Sequence, residues 1–242
     1  MSRPLRATVL ETGVDVPVLS EMFGPIPRGR VIAALYDADS QFNPFFVNIS
    51  AEYLRSGGDL LYLASSRPTN EIRQQFSGLG LDIADYEARD NAVLFDAYSA
   101  QMGIKSSEKY QTRETNLNER SITVSESALQ WPAGTLVIGE SFSDMALHQE
   151  NIFGKFWRKA VGRWKNQGAI MIAGLAMGLH PPEFYQEMKL VSDGVLEMRL
   201  MEHDGEIINT IRARSMRGQN SDTRWRQILF DSKMKASLRL LE

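Results

Sequence analysis

Residues 25–43 read Pro25-Ile26-Pro27-Arg28-Gly29-Arg30-Val31-Ile32-Ala33-Ala34-Leu35-Tyr36-Asp37-Ala38-Asp39-Ser40-Gln41-Phe42-Asn43, and the fold class follows from what surrounds them. A Pro/Gly turn leads into the unbroken apolar run Val31–Leu35, as expected of a strand covered on both faces. A polar window from Tyr36 to Asn43 follows. Phe45, Phe46, Ile49, Tyr53 and Leu54 then recur at helical spacing through Arg55. Gly57-Gly58 stands where glycine ends helices. Leu60–Ala64 is a second buried strand. The segment is loop, strand, loop, helix, strand.

The alternation continues downstream. Thr69–Leu79 predicts an amphipathic helix with Thr69 or Asn70 as its N-cap, and Ala92–Phe95 a short strand. Gly103–Asn118 is polar throughout and reads as an exposed loop. Ile122–Leu129 predicts a helix ended by Trp131-Pro132. Thr135–Ile138 is a strand, His148–Trp164 a helix closed by Asn166-Gln167-Gly168, and Ala169–Ala173 the next strand. Ser192–Leu200 and Ile207–Arg214 predict an antiparallel pair about His203-Asp204-Gly205, with Arg224–Phe230 as the last strand. Strands alternating with helices predict an α/β domain: a mostly parallel central sheet flanked by helices, with an antiparallel C-terminal extension. Residues 1–21 read as an N-terminal arm or edge strand and 22–242 as one domain. Within the arm, Val9, Leu10, Val14, Val16, Val18 and Leu19 are apolar residues that a single domain need not fully cover.

The chain has 242 residues, 43% hydrophobic and 24% charged, which fits a soluble protein able to bury its own core. It has no cysteine, so disulfides and thiolate-bound metals are excluded. His148, His180 and His203 are scattered without metal-ligand spacing, and no metal is expected. A net charge of −3 gives no overall attraction to nucleic acid or anionic membrane. The longest apolar run, Ala169 to Leu179, falls short of the roughly 20 residues a bilayer span needs. A cytoplasmic location is the expectation.

The window after the first strand is where a phosphate-binding loop would carry G-x-x-x-x-G-K-[ST]. There the glycines let backbone N–H groups wrap phosphates, the lysine neutralises them, and the hydroxyl holds Mg²⁺. Here it reads Tyr36-Asp37-Ala38-Asp39-Ser40-Gln41-Phe42-Asn43. Both glycines are replaced, Phe42 stands for the lysine and Asn43 for the hydroxyl. The order of elements nonetheless resembles the RecA-like ATPase superfamily in its single-domain KaiC-like branch, over about residues 22–235. Pro25-Ile26-Pro27-Arg28-Gly29 resembles the family's G-I-P-x-G turn. Leu61-Tyr62-Leu63-Ala64 matches the strand leading to a catalytic acidic pair, with about Ser66 and Arg67 in place of the acids. Gly78-Leu79-Gly80-Leu81 resembles the turn that closes the next helix. Leu136-Val137-Ile138-Gly139 is followed by Glu140-Ser141 where Walker B has Asp-Ser. Asn166-Gln167-Gly168-Ala169-Ile170 and Ser192-Asp193-Gly194-Val195 match lead-ins to later strands. Arg214-Ser215-Met216-Arg217-Gly218 resembles K-M-R-G, which presents Lys and Arg to a neighbouring subunit; Ser215 replaces the Lys and Arg217 remains.

The resemblance implies a RecA-like P-loop fold, and the altered letters fall on the phosphate chemistry. The expected reading is a pseudo-ATPase without catalytic residues or cofactor. It would act through protein contacts as a structural or regulatory subunit, in a homo-oligomer or beside a related RecA-like ATPase. Tyr36, Asp37, Ser40, Gln41, Phe42, Asn43, Glu140 and Ser141 are its vestigial nucleotide-site residues, and Arg217 its trans-acting residue. Phe42 is expected to fill the vacated phosphate volume, while Asp37 and Asp39 would repel a triphosphate. A second reading is a recombinase paralogue or RNA-binding ring subunit that meets nucleic acid, or another partner, through Arg212, Arg214, Arg224 and Arg226. A third is a sensor that binds ATP or ADP weakly without hydrolysis. Lys155–Lys165 interleaves cations with Phe156, Trp157 and Trp164, but Phe153, Phe156, Trp157, Ala160, Val161 and Trp164 form one helical stripe, which favours core packing.

Overall fold

The computed structural model describes residues 13–112, 131–147 and 149–241. Among the described residues, nine strands form one sheet: β1 (Val31–Tyr36), β2 (Leu60–Ala64), β3 (Ala92–Asp96), β4 (Leu136–Gly139), β5 (Ile170–Ala176), β6 (Gly194–His203), β7 (Glu206–Met216), β8 (Arg226–Phe230) and β9 (Ala236–Leu240). Their spatial order is β3-β2-β4-β5-β1-β6-β7-β8-β9. Pairing is parallel from β3 through β6 and antiparallel from β6 to β9. Every residue of β1 to β5 is buried, because helices cover both faces. The helices are α1 (Ser20–Phe23), α2 (Phe42–Arg55), α3 (Thr69–Gly78), α4 (Ile83–Ala88), α5 (Tyr98–Gln101), α6 (Ser143–Ala146), α7 (Glu150–Gln167) and α8 (Pro182–Val191).

One core lies under α1 to α4, with Phe23, Phe45, Phe46, Tyr62 and Phe76 as its largest fully buried side chains. The other lies under α6 to α8 and holds Phe153, Phe156, Trp157, Val161 and Trp164. The aromatic stripe of α7 is therefore core, and its cations sit on the opposite face. Part of the arm is covered by the chain itself. Val16 and Leu19 are fully buried in the first core, and Val14 and Ile26 exchange two backbone hydrogen bonds of 2.8 Å.

Asp193, at the lead-in to β6, is a tie-point of the scaffold. Its carboxylate accepts from Val31 N (3.0 Å), Lys165 Nζ (2.7 Å) and Arg30 Nη1 (3.2 Å), and its carbonyl accepts from Arg217 N (2.8 Å). The β6–β7 hairpin closes through Asp204 and Gly205, at φ +52° and +80°. Two consecutive positive φ values define the tight turn for which Asp-Gly is suited.

The structure departs from the sequence reading in several places. α2 begins at Phe42 rather than Phe45, since Pro44 occupies its first turn, where no N–H is needed. α4, capped by Asp82 accepting from Ala84 N, and α8 add to the expected elements. β8 is not the last strand, because β9 pairs along its edge. The helix expected over 122–129, the polar loop beyond 112, and His148 lie outside the described residues.

Candidate nucleotide site

The window 36–43 joins β1 to α2 at the carboxyl end of the parallel strands, where the clefts of open α/β sheets form. Several polar groups of this loop are bound within the protein. Asp37 N donates to Met198 O (3.1 Å) and Ser40 N to Asp37 O (2.9 Å). Gln41 N donates to Asn209 Oδ1 (2.7 Å). The Asp37 carboxylate accepts from Arg199 Nη1 (2.7 Å) and Leu200 N (3.0 Å). Ser40 Oγ donates to Asp37 O (2.6 Å). The loop is thus laced to the β6–β7 hairpin.

Phe42, the first residue of α2, is 7% exposed. Its ring stacks on Tyr36 at 3.6 Å and 16°, and meets Phe46 edge-on at 5.9 Å. Tyr36 ends β1; burial pushes its hydroxyl above the ordinary tyrosine range, against a hydrogen bond with Ser141.

Glu140, at the end of β4, is fully buried. Its Oε2 accepts from Ser66 N (3.2 Å). Its Oε1 lies 3.0 Å from Arg67 Nε and accepts from the Asn43 amide nitrogen at 2.7 Å, while the Asn43 amide oxygen accepts from Arg67. Burial pushes the Glu140 carboxyl above its ordinary range, with Ser66 and Arg67 opposing the rise. Ser141 N donates to Ser65 Oγ (3.0 Å), which donates back to Ser141 O (2.8 Å). Gly174 lets β5 pass close by, since a Cβ there would sit 2.1 Å from Glu140 O.

Asn43, Glu140, Ser66 and Arg67 therefore meet in one cluster, with Tyr36 and Phe42 stacked as a second pair. Asp37 and Gln41 bond toward the hairpin instead, and Ser40 bonds back to the Asp37 carbonyl. Arg217 Nη2 donates to the carbonyl of Leu190 on α8. Arg212 and Arg214 both bind the buried Glu197 carboxylate, at 2.6 and 2.7 Å, and Arg212 lies 4.4 Å over the Trp225 ring. Although burial raises the Glu197 pKa, hydrogen bonds from Arg214 and Arg212 outweigh it and hold the carboxyl below its ordinary range. Arg224 and Arg226 both bind Asp222, at 2.7 and 2.6 Å. The sequence reading had singled out the arginines but not Glu197, Asp222 or Arg199. An acid facing arginines across an antiparallel pair, as Glu197 faces Arg212, was the signal available for the first of them. Among the described residues, no group of three or more His, Cys, Asp or Glu is placed to hold a metal ion, and no helix is long and apolar enough to cross a membrane.

The strand order, the helix-covered parallel sheet and the β1–α2 loop at its carboxyl edge define a RecA-like α/β domain. The chain belongs to the KaiC ATPase family, whose model matches residues 43–231. That stretch runs from the first turn of α2 to just past β8 and includes Arg67, Glu140 and Arg217. No curated protein matches the chain.

Proposed function

We propose that this KaiC-family domain does not turn over ATP and works through protein contacts, as a cytoplasmic structural or regulatory subunit in a homo-oligomer or beside a related RecA-like ATPase. One observation carries the first half: the oxygens of Glu140 are occupied by Arg67, Asn43 and Ser66 of the same chain. A carboxylate that orders Mg²⁺ or water must present a free lone pair to the cleft. This one faces an internal guanidinium. The loop N–H groups at 37, 40 and 41 are likewise committed to protein oxygens, so they do not form a cradle for phosphate. Electrostatic stabilisation is the main catalytic term in phosphoryl transfer, and its usual sources are absent from positions 42, 43, 66 and 67.

The second half is supported by the state of the arginines. Arg212, Arg214, Arg224 and Arg226 share two carboxylates, Glu197 and Asp222, and cations already neutralised in this way favour protein contacts over nucleic acid. The test is phosphate release from Mg·ATP together with thermal unfolding in ATP or ADP. Release should stay at background, and neither nucleotide should raise the melting temperature, because a ligand stabilises only in proportion to its binding of the native state. Turnover that Glu140→Gln abolishes would overturn the proposal. A nucleotide-dependent rise without turnover would move it to a nucleotide sensor.

A further inference from the structure

We infer that a second copy of this chain docks its β6–β7 hairpin tip on the outer face of α7, giving a head-to-tail assembly. The inference rests on the reading that the protein works through protein contacts, and it names the surfaces.

The tip is a rigid knob. Residues 202–207 are all exposed beyond the tight Asp204-Gly205 turn. Ile207 is 75% exposed and is flanked by the carboxylates of Glu202, Asp204 and Glu206. Glu202 and Ile207 are cross-strand partners, as are His203 and Glu206. A tip held by a two-residue turn loses little conformational freedom on docking.

The outer face of α7 has the opposite charge. Lys155, Lys159 and Arg163 recur along it at helical spacing, all exposed and without a carboxylate partner among the described residues, whereas Arg158 beside them pairs with Glu187. Gly162 lies in that stripe, inside an 18-residue helix. Glycine weakens a helix interior relative to alanine. The other interior glycine, Gly154, has a packing reason, since a Cβ would meet the Glu187 carboxylate at 2.8 Å. A Cβ on Gly162 would meet nothing within 4 Å, so nothing among the described residues requires a glycine there. It leaves a notch among cations, complementary to an exposed isoleucine among carboxylates.

One copy cannot make this contact with itself. β6 runs parallel to β1, so the tip lies at the carboxyl edge of the sheet. α7 returns from the carboxyl end of β4 to the amino end of β5, which puts Gly162, in its second half, toward the opposite edge. The contact uses two different patches, so it propagates into a ring or an open array.

Sedimentation of the full chain, at rising concentration and at low and high salt, tests this. Wild type should associate, more weakly at high salt. The helix variant Lys159→Glu/Arg163→Glu and the tip variant Glu202→Lys/Glu206→Lys should each lose association by at least about tenfold, while keeping the wild-type circular dichroism spectrum. Mixed in equal amounts, the two should reassemble, because each helix then meets a tip of opposite charge. Gly162→Leu should block assembly by filling the notch, and Ile207→Asp by removing the knob. Wild-type chains that stay monomeric would overturn the inference, as would single variants that assemble like wild type or folded variants that do not recover on mixing. Assembly unaffected by all of these variants would overturn this interface alone and leave the broader reading in place. Nucleotide turnover would overturn that reading without touching the interface.

Discussion

Replacing Arg67 by methionine should cost about 3 kcal/mol of folding stability, the low end for breaking a buried ion pair, because Arg67 keeps 23% exposure while Glu140 has none. The change leaves the carboxylate with Ser66 N and the Asn43 amide as its partners and no cation beside it. The loss should also depend on pH. Burial already raises the folded-state pKa of Glu140 above that of the unfolded chain. Between the ordinary glutamate range and the raised value, the folded chain therefore holds a proton that the unfolded chain has released. Stability from that proton is fully present at lower pH and is lost as pH rises through the raised value. Removing Arg67 lifts the raised value further, so the methionine variant should lose more stability at about pH 8 than at about pH 5. Urea unfolding at the two pH values measures this. Arg67→Met/Glu140→Met should recover most of the loss, since an apolar pair can replace a buried ion pair at little cost. A single variant as stable as wild type at both pH values would show that Glu140 does not need its guanidinium and that Arg67 does not hold the carboxylate away from a ligand.

How much of this was legible in the sequence depended on how local each signal was. β1 and β2 were readable because strands buried on both faces need unbroken apolar runs, and Val31–Leu35 and Leu60–Ala64 supply them. The β6–β7 hairpin was readable because Asp204-Gly205 meets a backbone requirement that few other pairs satisfy. β9 was missed because an edge strand has one neighbour and part of its surface in water, so Ala236, Leu238 and Leu240 alternate with Ser237 and Arg239 instead of forming an apolar run. α8 opens on Pro181-Pro182 and buries only Phe184, Tyr185 and Met188, a short signal that reads as loop. At the site, the identities of Phe42, Asn43, Ser66, Arg67 and Glu140 were visible in the order of elements. Their mutual contacts were not. Arg67 follows β2 and Glu140 follows β4, so the parallel register of β2 and β4 brings those two together, while Asn43 reaches them from the first turn of α2, after β1. A sequence shows which phosphate-site letters have changed. It does not show that the replacements satisfy one another.

Phe42→Ala should be the most destabilising single change in the loop, at roughly 3–5 kcal/mol for truncating a buried phenylalanine. The ring is 7% exposed, and its stack on Tyr36 and edge contact with Phe46 add the specific part of an aromatic pair, about 0.5–1.5 kcal/mol each. The damage should spread, because Phe42 begins α2 and α2 carries Phe45, Phe46, Ile49 and Tyr53 into the first core. Phe42→Leu, which keeps apolar volume but loses the stack, should cost distinctly less than alanine. Thermal and urea unfolding would order the variants wild type, leucine, alanine. Phe42→Lys separates filling from function. It supplies the cation a phosphate loop requires, yet Asp37, Ser40 and Gln41 still spend their N–H groups on protein oxygens and Arg67 still holds Glu140. Calorimetry should therefore detect no ATP binding to a folded Phe42→Lys protein. An unchanged melting temperature for Phe42→Ala would place the ring outside the packed core. ATP binding by Phe42→Lys would show that a single side chain keeps the phosphate site closed, rather than the loop and the Glu140 cluster together.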